Sequence, residues 1–108
     1  MTTSEIIRAF NDSFRQSLRG GTLVLTAGIV ALGAEAQQGI IDAVRAFDDF
    51  TPDNDPYGEH DFGSVEVGGE RIYFKIDYFD VTRAAHSEDP ADPIVTERVM
   101  TIMLVSEY

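Results

Sequence analysis

Residues Asp48 to Gly63 read DDFTPDNDPYGEHDFG, with six carboxylates and one histidine in sixteen positions and no Lys or Arg. Side chains of these types at this density could bind a divalent cation, transfer a proton, or meet a basic partner. Calcium is one such cation. Counted from Asp53, acids fall at loop positions 1 and 3 and glycine at position 6, as an EF-hand requires. Position 5 is Tyr57 and position 12 is Ser64, where a polar ligand and a bidentate glutamate are needed. A looser divalent site would draw on Asp53, Asp55, Glu59 and Asp61. Zinc needs several nitrogen or sulfur ligands. The chain has only His60 and His86 and no cysteine. Proton transfer would centre on His60, since imidazole titrates near neutral pH. In extended backbone, neighbours point to opposite faces, so Glu59 and Asp61 would share one side and His60 the other. A dyad of His60 with an adjacent carboxylate is therefore disfavoured, and pairing with a distant residue is the option left open.

Other chemistries lack their residues. Gly28 and Gly33 are spaced as in a phosphate-binding loop, but Ala34 stands where the lysine belongs. No serine lies in a G-x-S-x-G turn. Absence of cysteine removes disulfides and thiolate nucleophiles. Nothing approaches the ~18–20 apolar residues of a membrane span. The first residues lack the basic-then-apolar order of a signal peptide. A soluble cytoplasmic protein without cofactor or metal is expected.

The elements that must position the acidic stretch follow from periodicity. A first helix is marked by Thr2 and Glu5 in capping-box spacing. Ile6, Ile7, Phe10, Phe14 and Leu18 form its buried stripe; Arg8, Asn11, Asp12 and Arg15 are placed on the wet side. Gly20-Gly21 is the expected stop. Thr22–Thr26 reads as a short strand, and Ala27–Gly33 is open between strand and connection. A second helix is expected over about 34–48, with Ile40, Ile41, Val44 and Phe47 inward. Gly68-Gly69 then joins two alternating runs as a type I′ hairpin. That loop pairs Val67 with Glu70, Glu66 with Arg71, Val65 with Ile72 and Ser64 with Tyr73. Val65, Val67, Ile72, Phe74, Ile76 and Tyr78 face the core. A long polar connection, 80–93, precedes a last strand over about 96–106. That strand is apolar on both faces and so central. The 108 residues fit one α+β domain of order α-β-α-β-β-β. An antiparallel sheet of four or five strands with both helices on one face is expected.

Charge is segregated along the chain. Residues 1–47 hold four acids and four bases; residues 48–108 hold 15 acids and four bases and thus the whole net charge of −11. Such a field repels nucleic-acid backbones and anionic lipid and attracts basic partners.

The strings TAGIVAL, VRAFDDFTPDNDPYGEHDFGSVEVGGERIYFKIDYFD and DPADPIVTERVMTIMLVSEY resemble, over about residues 5–108, an uncharacterised family, domain of unknown function 3768. The resemblance implies a small alphaproteobacterial protein from a plasmid- or phage-associated setting. It implies no catalytic residue. Together with the charge, it favours a non-enzymatic interaction protein, with no direct contact to nucleic acid or membrane. The expected partner is a basic surface, such as the nucleic-acid channel of a host defence complex, and the expected role an anti-CRISPR or anti-restriction inhibitor of the nucleic-acid-mimic type. Carboxylates two apart on a strand stand ~6.8 Å apart, and such rows can occupy Lys and Arg sites that otherwise hold phosphates. The candidate contact residues are Asp48, Asp49, Asp53, Asp55, Tyr57, Glu59, His60 and Asp61, with Glu88, Asp89 and Asp92 in the later connection. The alternative is a small enzyme or divalent-metal domain built on loop 53–61. A homo-oligomer burying the outer hairpin face through Tyr73 and Phe79 is a further expectation.

Overall fold

The computed structural model describes residues 1–108. Helix α1 spans Thr3–Ser17 and begins with the expected capping box, in which the Thr2 hydroxyl accepts from Glu5 N–H and the Glu5 carboxylate reaches back. It stops earlier than Gly20: Leu18 adopts the left-handed conformation at the cap. Strand β1 is Thr22–Leu25. The open segment after it folds as one short helical turn, α2 (Ala27–Val30), so there are three helices and not two. Helix α3 runs Ala34–Ala46, ending two residues short of the expectation. Strands β2 (Phe62–Val67), β3 (Glu70–Phe79) and β4 (Glu97–Leu104) follow, with a 3₁₀ turn at Val105–Glu107.

The β2–β3 hairpin has the register set by its glycine loop, with all four expected pairs. Gly68 and Gly69 both have positive φ, 59° and 83°, as a type I′ turn demands. Gly63 meets a different need: a Cβ there would overlap the Phe74 ring.

The sheet order is β1-β4-β3-β2, and β4 is interior as its two apolar faces imply. The sheet is mixed, not antiparallel, because β1 pairs parallel to β4. Topology gives the reason. β1 and β2 occupy opposite edges and are joined through α2 and α3. A helix that returns the chain along the sheet makes the strands it joins run the same way. β2 is antiparallel to β3 and β3 to β4, so β1 beside β4 must be parallel.

One face of the sheet carries Ile72, Phe74, Ile76 and Tyr78 from β3 and Met100 and Ile102 from β4. These pack with Ile7 and Phe14 of α1, Ile29 of α2, and Ile40 and Val44 of α3 as the core. The helices thus share one face, and the opposite face has none. The hairpin ends at one pole of the sheet. At the other pole β2 starts, β3 ends and β4 starts, so residues 48–61 and 80–96 emerge there together. No helix is long and apolar enough to cross a membrane.

Candidate functional site

Segment 48–61 is built by its own short polar side chains. The Asn54 carboxamide accepts from Thr51 N–H at 2.8 Å and donates to the Asp49 carbonyl at 3.0 Å. Asp55 is 9% exposed, the only buried carboxylate of the chain. One of its oxygens accepts from the backbone N–H of both Glu59 and His60, each at 3.1 Å. Asx side chains bonding nearby N–H groups are what the turn-rich sequence here supplies.

His60 is not extended. Its φ is +57°, and this left-handed geometry turns the ring onto α1. Neither sequence neighbour bonds to it. Its Nδ1 lies 2.8 Å from Asp12, and its Nε2 lies 3.5 Å from Asp55. The ring stacks on Phe50 with centroids 3.8 Å apart and planes 4° from parallel. Asp12 also accepts from Arg15 at 3.0 Å, while Arg15 reaches the Phe47 carbonyl and lies over the Phe50 ring. Beside this group opens a cleft of about 370 Å³ lined by residues including Arg45, Asp48, Phe50 and His60. Its lining holds no Ser, Thr, Cys or Lys, and both His60 nitrogens already face carboxylates. These contacts fix the loop on α1.

A second polar node is deeper. Asn11, fully buried, donates through Nδ2 to the Tyr78 hydroxyl at 2.8 Å and the Glu59 carbonyl at 3.0 Å. Its Oδ1 accepts from Arg98 Nε at 2.9 Å, and Arg98 donates onward to the Pro90 carbonyl. Tyr78 donates to the Glu59 carboxylate at 2.8 Å. Burial, reinforced by that carboxylate, pushes the Tyr78 pKa upward and keeps the hydroxyl a donor. Arg98 is held between the Phe10 and Tyr78 rings, and burial lowers its pKa. Through Asn11 and Arg98, both polar loops are clamped to α1 and to β3–β4.

The contact residues expected from the sequence therefore divide. Asp48, Asp49, Asp53, Tyr57, Glu88 and Asp89 are exposed, and Asp92 is half-exposed. Asp89 and Asp92 each use one oxygen to accept from a backbone N–H two residues on. Asp55, Glu59 and His60 face inward as scaffold. Asp61 is half-buried, and burial followed by the charges of Glu59, Asp55 and Asp77 raises its pKa. Asp53, Asp55, Glu59 and Asp61 do not converge, and no three His, Asp or Glu side chains gather as a metal ion would require.

Asn11 and Arg15, placed on the wet side from the sequence, are 0% and 2% exposed. The signal was their spacing. From Ile7, the steps i+4, i+7, i+8 and i+11 reach Asn11, Phe14, Arg15 and Leu18 on one helix face. Reading only apolar residues as inward hid the two polar ones. Arg98 was hidden likewise: it alternates in phase with Met100 and Ile102 on β4.

No curated protein matches the chain, and no solved structure does. A family model described as "Protein of unknown function (DUF3768)" matches residues 25–107, a shorter span than the one expected, which leaves α1 with Asn11 and Asp12 outside it. Since that match spans well over half of the 108 residues, the chain belongs to this family.

Proposed function

We propose that this is a non-enzymatic interaction protein that presents its acidic pole to a basic surface on another macromolecular complex. One observation carries this reading: the two clamped loops, 48–61 and 80–96, place ten of the 19 carboxylates at one end of the sheet, against the single base Arg83. Arg8 beside Gly58 and Arg19 beside Pro93 offset part of this charge. The buried node holds both loops in fixed positions, so the surface is pre-ordered and little entropy is lost on binding. The exposed set Asp48, Asp49, Asp53, Glu88 and Asp89 supplies the charge, and Tyr57, 77% exposed, supplies an aromatic anchor. Asp55, Glu59 and His60 shape the surface from beneath. Sites that hold phosphates accept carboxylates, so a nucleic-acid channel is the fitting class of target. An inhibitor of a CRISPR or restriction complex is the form favoured by the mobile-element setting that the family resemblance implies.

The test is capture of host proteins on the immobilised chain at about 50 and about 500 mM salt, with duplex DNA as competitor. A partner retained at low salt, released at high salt and displaced by DNA is expected. The Asp48→Lys/Asp49→Lys/Asp53→Lys variant should bind it at least about tenfold more weakly. A partner held equally by the variant and at both salt concentrations would sink the reading.

A further inference from the structure

The helix-free face of the sheet differs in charge from the rest of the molecule. Its strand residues are Phe62, Ser64 and Glu66 on β2; Arg71, Tyr73, Lys75, Asp77 and Phe79 on β3; Glu97, Val99, Thr101 and Met103 on β4; and Thr22 and Val24 on β1. Every charge on this face is paired. Arg71 meets Glu66 at 3.4 Å, Lys75 meets Asp77 at 3.3 Å, and Arg83 folds over from its loop to meet Glu97 at 2.9 Å. The face is thus neutral, with three acids and three bases.

Elsewhere the imbalance is steeper than the composition implies. Removing buried Asp55 leaves 18 of 19 acids, and removing buried Arg15 and Arg98 leaves six of eight bases. Setting aside the three pairs of the open face leaves 15 acids against three bases over the remaining surface. Of the approaches open to two copies of this chain, the one across this sheet brings the least unpaired like charge together.

The same face offers contact surface. Phe62, Tyr73 and Tyr108 form an aromatic cluster with centroids 4.9–5.9 Å apart, over one end of the sheet. Val99 and Thr101 lie half-exposed at its centre, and Val24 is 39% exposed at its β1 edge.

We infer that the helix-free sheet face is a weak homodimer interface, occupied by a second copy of this chain. In such a twofold contact, residue i meets j and j meets i. The adjacent Lys75 and Asp77 can therefore exchange partners between copies without adding net charge. Sheets stack about 10 Å apart, close enough for the Tyr73, Val99 and Thr101 side chains to touch their counterparts. Four strands of 4, 6, 10 and 8 residues, about 4.8 Å apart, present on the order of 400 Å². That is below the ~800 Å² per partner of a standard stable interface, so the dimer is reversible and concentration-dependent. This interface is separate from the acidic pole and does not depend on the function proposed above.

Sedimentation velocity of the full chain between about 10 µM and about 1 mM tests it, at about 20 and about 300 mM salt. The mass should rise with concentration from 11.9 kDa towards twice that value. The dimer should tighten as salt screens the repulsion between copies, opposite to a partner held by the acidic loops. Thr101→Arg should weaken dimerisation at least tenfold. Should that variant fail to fold by circular dichroism, Val24→Arg, at the sheet edge, decides in its place. Asp49→Lys, at the acidic pole, should leave the dimer intact. A chain that stays monomeric at the highest concentration and salt overturns the inference. So does a dimer that the folded variants leave unchanged.

Discussion

Asp61 carries its charge into a half-buried position beside Glu59, Asp55 and Asp77, and its pKa is raised, first by burial and then by these like charges. The folded chain therefore takes up a proton at Asp61 more readily than the unfolded chain. The associated stability is fully present below the ordinary value of 3.8 and is lost as pH rises through the raised folded value. At neutral pH the ionised group opposes folding. Asp61→Asn should accordingly raise the melting temperature at pH 7, with the gain shrinking towards zero as pH falls below 3.8. Thermal melts of both proteins at pH 3 and pH 7 check this, and a gain confined to the acid side would refute it. Nothing in the local string distinguishes Asp61 from exposed Asp53. Burial is decided by the Ile76 N–H···O=C bond to Asp61, which draws the chain against β3, a contact between distant residues. His60 was legible as the candidate for proton transfer, but its partners were not. Asp12 comes from 48 positions away, and the left-handed backbone at His60 has no glycine to announce it.

At the scale of elements, Asn11 joins four segments: α1, the loop ending at Glu59, β3 through Tyr78, and β4 through Arg98. Asn11→Ala leaves Arg98 Nε and the Glu59 carbonyl without this partner in a buried site. One unsatisfied buried group costs about 1–3 kcal/mol, so a total loss of about 3 kcal/mol is expected by denaturant unfolding. Amide exchange should quicken in both 48–61 and 80–96, because the two loops share the node. Faster exchange in one loop alone would show that they are anchored independently. Local signals located the elements well where each was strong. The capping box placed the start of α1, and the two-glycine loop set the hairpin register. They failed where tertiary pairing decides. Four residues of β1 contain nothing that specifies a parallel neighbour. That follows from the helical return to β2 at the far edge, which no single segment encodes. The short α2 is fixed similarly from a distance. Glu107 bonds the Gly28 N–H at 3.0 Å and the Thr26 hydroxyl at 2.6 Å, some eighty residues along the chain.

For the molecule as a whole, the charge distribution makes folding stability depend on salt. A net −11 on 108 residues opposes the compact state by self-repulsion. Two of the eight cations are buried and three are paired on the helix-free face, so the acidic pole receives little compensation. The Debye length falls from about 30 Å at 0.01 M to about 10 Å at 0.1 M. Over that range, repulsion between loops 48–61 and 80–96 is screened, while the short ion pairs of the sheet face are affected less. The melting temperature should therefore rise by several degrees between these conditions, on the order of 1 kcal/mol. Sodium chloride and potassium chloride should act alike, since screening depends on ionic strength and not on a bound ion. Asp48→Lys/Asp49→Lys/Asp53→Lys should flatten the dependence by removing charge from the crowded pole. A stability that falls with salt would mean that surface ion pairs outweigh the repulsion, and a rise unaffected by these substitutions would place the repulsion away from this pole. Calcium at millimolar concentration adds a sharper control. With no converging carboxylates, its effect should match that of magnesium at equal ionic strength. A larger stabilisation by calcium would place a cation in the acidic loop and turn the reading of that loop from docking surface to metal site.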